Sequence, residues 1–194
     1  MDTYYYHGIE TYHGTYGQST EIMYKILREG LKTRKEVHNH HDDHYDHVCL
    51  YKKDKDLDYK KNFFDSARSG WIDSCFVFII SPDVEAVRAS HDETDLLDEW
   101  RSIGSIPPSK IKGIALPMTA IKDYLEEEPL DEEHKQDQEK LKKYLKILTE
   151  YTLNNDLMLL DSDLPNFTDE LDESLKKKKL LQNKSVNQGT FYFD

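Results

Sequence analysis

Cysteine is almost absent. The chain of 194 residues has two, Cys49 and Cys75, each inside a short apolar run. Thiols placed so read as buried side chains of strands, and they exclude a small disulfide-stapled scaffold. Long apolar runs are missing as well. No stretch reaches the roughly 20 residues that a helix needs to cross a bilayer. Met1-Asp2-Thr3-Tyr4 has neither the basic nor the apolar part of a secretory leader. Positive charge is in deficit: 26 Lys and Arg face 38 Asp and Glu, a net charge of −12. That surplus argues against broad binding to nucleic acid or to an anionic membrane, while leaving room for a small basic groove. The expectation is a soluble protein of a reducing, cytoplasmic compartment. A secreted effector acting in a host cytosol has the same composition.

What is present suits a folded chain. Hydrophobic residues make up 37% and charged residues 33%, a polar but globular balance. The length allows a real core and predicts one domain with an appendage. The character changes near Ala120. Residues 121–194 carry 18 acids against 11 bases and read as helical. This divides the chain into residues 1–120 and an acidic helical C-terminal extension, residues 121–194. In the extension Leu141, Tyr144, Leu145 and Leu148 form one stripe, predicting a helix from about Glu132 to Leu153 that Asn154-Asn155 ends. A second helix is expected from a Thr168 cap towards Leu181, and Phe191-Tyr192-Phe193 could add an edge strand. The extension either covers the core or recognises a partner.

Before Ala120, strands and helices alternate. Tyr and Thr enrichment predicts a strand from about Tyr4 to His13, bent at Gly8. Ser19 or Thr20 caps a helix with Glu21 in its first turn, Ile22, Met23, Ile26 and Leu27 on its apolar side, and Gly30 as its stop. Val48–Tyr51 reads as a short strand and Tyr59–Ser69 as a helix ended by Gly70. Ser74–Ser81 is the strongest strand, apolar on both faces and therefore central. Val84–Ala89 reads as a short helix and His91–Asp98 as an acidic loop. Glu99–Ile103 alternates as a strand, Gly104–Pro108 is a turn, and Ile111–Pro117 is the final strand. Lys35–His47 is the oddest stretch, with His38, His40, His41, His44 and His47 among acids. Neutral imidazoles suit zinc, but no helical zinc spacing occurs, so it reads as a solvated loop and no metal is expected.

Tyr12-His13-Gly14-Thr15 organises the first half. A strand ends at a His whose imidazole can hold a ligand hydroxyl. A Gly follows, where the backbone itself can approach a ligand. A helix then closes at Gly30. Strand, small-residue loop and helix is a usual way to build a small-molecule pocket.

Taken in order, the segments point further. Tyr12-His13-Gly14-Thr15 with Ile26-Leu27-Arg28-Glu29-Gly30-Leu31, followed by Glu99 through Ile114, resembles the ADP-ribosyltransferase superfamily. The match is to its His–Tyr–Glu branch, which includes poly(ADP-ribose) polymerases, diphtheria-type toxins and RNA 2′-phosphotransferases. It covers about Tyr5 to Leu116 and leaves the extension outside. The resemblance implies an α+β fold, an ADP-ribosyltransferase-like split β-sheet core over residues 1–120, with NAD as substrate. It implies that His13 holds an adenosine-ribose hydroxyl. Gly14 offers its backbone to the nicotinamide amide, and Thr15 supports that loop. Tyr51 stacks on nicotinamide, with Tyr45 and Tyr59 as rivals. Glu99 is the catalytic carboxylate holding the nicotinamide-ribose hydroxyl, with Asp92, Glu93, Asp95 and Asp98 nearby.

The implied activity is mono-ADP-ribosyl transfer to a macromolecular acceptor by a bacterial or phage-type effector or toxin. The negative charge favours protein over nucleic acid as acceptor, and no membrane partner is expected. Two alternatives stay open. One is a binding module that kept the fold and lost the chemistry. The other is RNA 2′-phosphate transfer to NAD, which in the resembling family uses a basic cluster that Arg28, Arg34, Arg68, Arg88 and Arg101 do not match.

Overall fold

The sheet is built on the apolar run Cys75–Ile80, strand β3, in which Phe76 through Ile80 are fully buried. The computed structural model describes residues 4–10, 15–37, 46–52, 75–88 and 99–162, with the backbone alone of Glu10, Arg34, Cys75 and Glu99. Among the described residues the chain runs β1 (Tyr5–Glu10), α1 (Tyr16–Glu29), α2 (Arg34–Val37), β2 (Cys49–Lys52), β3, β4 (Ala86–Arg88) and β5 (Glu99–Ser102). A 3-10 turn at Pro108–Lys110 leads to β6 (Ile111–Leu116), α3 (Met118–Glu126), α4 (Glu132–Asn154) and β7 (Met158–Asp161). The fold class is α+β: one mixed sheet in the order β4-β5-β2-β1-β3-β6-β7, with helices against it.

A strand apolar on both faces must be covered on both. Phe76, Phe78 and Ile80 join Met23 and Leu27 of α1 and Leu141, Leu145 and Leu148 of α4 in the main core. Val77 and Ile79 turn the other way, into a smaller cluster with Tyr6, Ala115 and Met158. Each such side chain, fully buried, contributes about 1.5–3 kcal/mol, so β3 anchors the layers.

Helix α1 begins at Tyr16, earlier than a Ser19 or Thr20 cap predicts. Both residues are buried inside the helix, and the Thr20 hydroxyl donates back to the carbonyls of Tyr16 and Gly17. Its stop is as expected: Gly30 has φ +88°, and its N–H closes on the Ile26 carbonyl at 2.8 Å. Helix α4, Glu132–Asn154, carries Leu141, Leu145, Leu148 and Thr152 on its buried side. Asp131 caps it, accepting from the His134 N–H at 2.8 Å.

Three further readings change. Residues 86–88 form edge strand β4 rather than a helix, because they pair with Trp100–Ser102 of β5. The His-rich stretch is entered by the short helix α2. Finally, β6 is not the last strand: β7 returns parallel to it, with Gly113↔Met158 through Leu116↔Asp161 in register. Helices α3 and α4 form the crossover between the two. Ile121, Tyr124 and Leu141 thereby lie in the same core as β3. Residues 59–69, 168–181 and 191–193, for which a helix, a helix and a strand were expected, lie outside the described residues.

Candidate functional site

Tyr51 and Glu99 are brought together. In the antiparallel pair of β2 and β5 they are register partners, and Tyr51 is at the same time opposite Tyr6 of β1. Register partners in a sheet stand about 4.5–5.5 Å apart. Three strands meet in this row because β2 is short and has β1 on one side and β5 on the other. Tyr51 is half-buried and packs beside the cluster of Tyr6, Val77 and Ile79.

Behind that row, on the helix side of the sheet, the neighbouring residues lock the same strands. The rings of Tyr5 and Trp100 meet edge-on with centroids 5.7 Å apart. The Lys52 ammonium lies 5.1 Å from the first ring centroid and 5.0 Å from the second. Such cation–π contacts contribute roughly 0.5–1 kcal/mol each at exposed sites. The Trp100 indole Nε1 is buried without a hydrogen-bond partner.

The sheet divides at this place. All of β1, Tyr5 to Glu10, is paired with β3, Ile80 to Cys75. Towards β2 the pairing stops after Tyr5↔Lys52 and Tyr6↔Tyr51. The small half β4-β5-β2 is therefore hinged to the larger half at one end of β1. Beyond the last pair, the His7 imidazole Nδ1 donates to the Cys49 carbonyl at 2.9 Å. Burial lowers the His7 pKa from its ordinary 6.5, and the bond to Cys49 partly offsets this.

The two sequence segments that carry the resemblance also touch. Leu31 and Ile106 exchange both backbone hydrogen bonds, at 2.9 and 2.8 Å. Gly30 fits there because any Cβ would strike the Ile106 carbonyl oxygen. Ser105 and Thr33 both donate to the Glu36 carboxylate, which this holds below the usual range.

Thr15 stands at the N-cap position of α1 without a side-chain cap bond. The cap comes from α4 instead. The Asp137 carboxylate accepts the N–H of Gly17 at 2.7 Å and of Gln18 at 3.1 Å, and the Tyr124 hydroxyl at 3.0 Å. A carboxylate there meets the positive end of the helix. Burial, and then the Asp137 charge, raise the Tyr124 pKa far above the ordinary phenol value. Tyr16, Tyr124 and His134 stack in sequence, with centroids 4.7 and 4.8 Å apart. Further along, the Glu21 carboxylate accepts from Tyr144 at 2.8 Å and pairs with Lys140 at 3.1 Å. The first turn of α1 is thus held by the helix from the extension.

His13 and Gly14 lie outside the described residues, as do Tyr45, Tyr59 and the acids 92–98. Of the histidine-rich stretch, His38 to His44 lie outside too, and no metal-ligand group occurs among the described residues. No described helix is long and apolar enough to cross a membrane. Sequence reasoning passed over His7 and Asp137. A signal existed for the first: Tyr-His-Gly occurs twice, at 6–8 and at 12–14. For Asp137 there was none, since a cap 120 positions away leaves no local pattern.

Comparison with family models, with curated proteins and with solved structures gave no match to the chain.

Proposed function

We propose that this chain is a mono-ADP-ribosyltransferase with an ADP-ribosyltransferase-like core, using NAD as substrate and a macromolecule, with protein favoured, as acceptor. One observation carries the reading. The strand that leads to His13-Gly14-Thr15, the strand of Tyr51 and the strand of Glu99 are consecutive neighbours, β1-β2-β5, and Tyr51 and Glu99 are register partners. Tyr51 and Glu99, 48 positions apart in the sequence, stand opposite each other on adjoining strands.

The chemistry fits these residue types. The bond between nicotinamide and the ribose carbon breaks, and nicotinamide leaves with the electron pair. The ribose carbon gains positive charge, and an acceptor nucleophile adds to it and loses its proton. A fixed carboxylate, Glu99, stabilises that charge more in the transition state than in the ground state. Tyr51 stacks on the leaving ring, Gly14 holds its amide and His13 holds an adenosine-ribose hydroxyl, so the reacting centre is oriented before reaction. The net charge of −12 favours a protein acceptor over a nucleic acid.

The test mixes NAD labelled in its adenylate part with the full chain and a cell lysate, beside Glu99→Gln. Label in a discrete band, lost or reduced on the order of 10²–10³-fold in the variant, is expected. Free nicotinamide without a labelled band indicates an NAD hydrolase. NAD binding without either product indicates a binding module. Absence of NAD binding overturns the reading.

A further inference from the structure

The split between the two halves of the sheet contains a side chain. An antiparallel ladder continued past Tyr6↔Tyr51 would set His7 opposite Leu50 and Gly8 opposite Cys49. No such pairs form. In their place the His7 ring reaches across, and Nδ1 bonds the Cys49 carbonyl at 2.9 Å. A carbonyl can only accept, so the proton is on Nδ1 and the partner fixes the tautomer. The ring is backed by Phe78, a fully buried side chain of β3, with centroids 6.4 Å apart.

The position matters because β2 is four residues long. Cys49 and Tyr51 are two residues apart on it, so fixing the carbonyl of one fixes the place of the other. The half β4-β5-β2 meets β1 through two residue pairs at one end and through His7 beyond them. We propose that His7 is a positioning residue: by holding the Cys49 carbonyl it sets the opening between β1 and β2, and so the place of Tyr51 against the nicotinamide. This rests on the NAD reading above. His7 touches neither substrate nor reacting atoms in this role; it acts through β2. Displacements of about 1 Å in such a support are enough to cost up to 10²-fold in rate.

Two substitutions separate the bond from the bulk. Asn carries an amide N–H where His carries Nδ1–H, so His7→Asn keeps the donor. His7→Leu fills the space and removes it. Steady-state NAD turnover by the full chain and backbone amide exchange are measured for both, beside the parent. His7→Leu raises KM for NAD about five- to tenfold, the worth of one lost hydrogen bond, and changes kcat less. It also speeds exchange at residues 49–52 while leaving β3 and β6 protected. His7→Asn restores both to within about twofold. Equal KM in all three proteins overturns the proposal, as does His7→Asn failing like His7→Leu, which assigns the effect to the ring alone. Unchanged exchange at 49–52 in His7→Leu overturns it without reference to NAD. A parent protein that neither binds nor cleaves NAD overturns the functional reading and this role with it, and that outcome is visible before any variant is compared.

Discussion

The Asp137 carboxylate closes on the Gly17 backbone N–H at 2.7 Å, joining α4 to the first turn of α1 across 120 positions of sequence. It is the missing cap of a helix whose own N-cap residue, Thr15, makes no side-chain cap bond. Loss of a cap costs about 0.5–2 kcal/mol, and here the Tyr124 hydroxyl loses its acceptor as well. Asp137→Ala is therefore expected to lower the unfolding free energy by about 1–2 kcal/mol. Asp137→Asn keeps an acceptor oxygen and should lose less. Urea denaturation of the three proteins decides this. An unchanged midpoint for the alanine variant would remove the cap from the account.

Gly17 gives an independent check of the same contact. In most helices Gly→Ala stabilises by about 1 kcal/mol. At Gly17 the added Cβ would run into the Asp137 backbone oxygen and stand 2.9 Å from the Leu141 nitrogen. Backbone cannot swing aside as a side chain can, so α1 and α4 must part. Overpacking of this kind costs about 1–3 kcal/mol. Gly17→Ala is expected to lower the thermal midpoint, against the helix-propensity trend. A raised midpoint would mean that the two helices pack less closely than described.

These two residues show where the sequence is legible. Local pattern sufficed where the signal is local. The run Cys75–Ile80 is apolar on both faces and is the buried strand β3. The stripe Leu141, Leu145, Leu148 is the inner side of α4, and Gly30 stops α1. Pattern failed where a distant partner decides. Ser19 and Thr20 have good capping chemistry, yet a carboxylate from α4 starts the helix a turn earlier. Ala86–Arg88 is a strand only because β5 offers it an edge. Met158–Asp161 is too short to stand out and is a strand because β6 lies beside it. For the candidate site, the resemblance implied Tyr51 and Glu99, and the register sets the two opposite each other. The His7–Cys49 bond was hidden, since a side chain standing where a ladder bond would form has no periodicity.

Tyr51 separates stacking from hydrogen bonding. If its ring packs on nicotinamide, the face matters and the hydroxyl does not. Tyr51→Phe should then keep NAD affinity within about twofold. Tyr51→Ala should weaken it about ten- to hundredfold, since base–aromatic stacking is worth about 1–3 kcal/mol per base. The parent Tyr51 is half-buried beside Tyr6, so the fold tolerates the smaller ring change easily. Titration of NAD by calorimetry reads both. Equal loss in Phe and Ala would assign the interaction to the hydroxyl, and no loss in either would take Tyr51 out of the site.

The His7 imidazole makes stability depend on pH in a window of its own. Burial holds its folded pKa below 6.5, with the bond to the Cys49 carbonyl partly opposing. In the unfolded chain a histidine takes its proton near 6.5. Between the folded and unfolded values the unfolded state binds more protons. The contribution is therefore fully present above about pH 6.5 and is lost as pH falls through that value towards the folded pKa, at no more than about 1.4 kcal/mol per pH unit. The shifted carboxylates Glu21, Glu29, Glu36 and Asp83 do not interfere. All are held below their ordinary range, Asp83 at about 2 beside Lys110, so their contributions are lost only at lower pH. The difference between parent and variant isolates the contribution of position 7. Urea midpoints from pH 8 to pH 5 should fall more steeply for the parent than for His7→Asn, which has nothing to protonate at that position. Parallel curves would show that the His7 ring accepts a proton as readily in the folded state as in the unfolded chain, and that it is not desolvated between the two halves of the sheet.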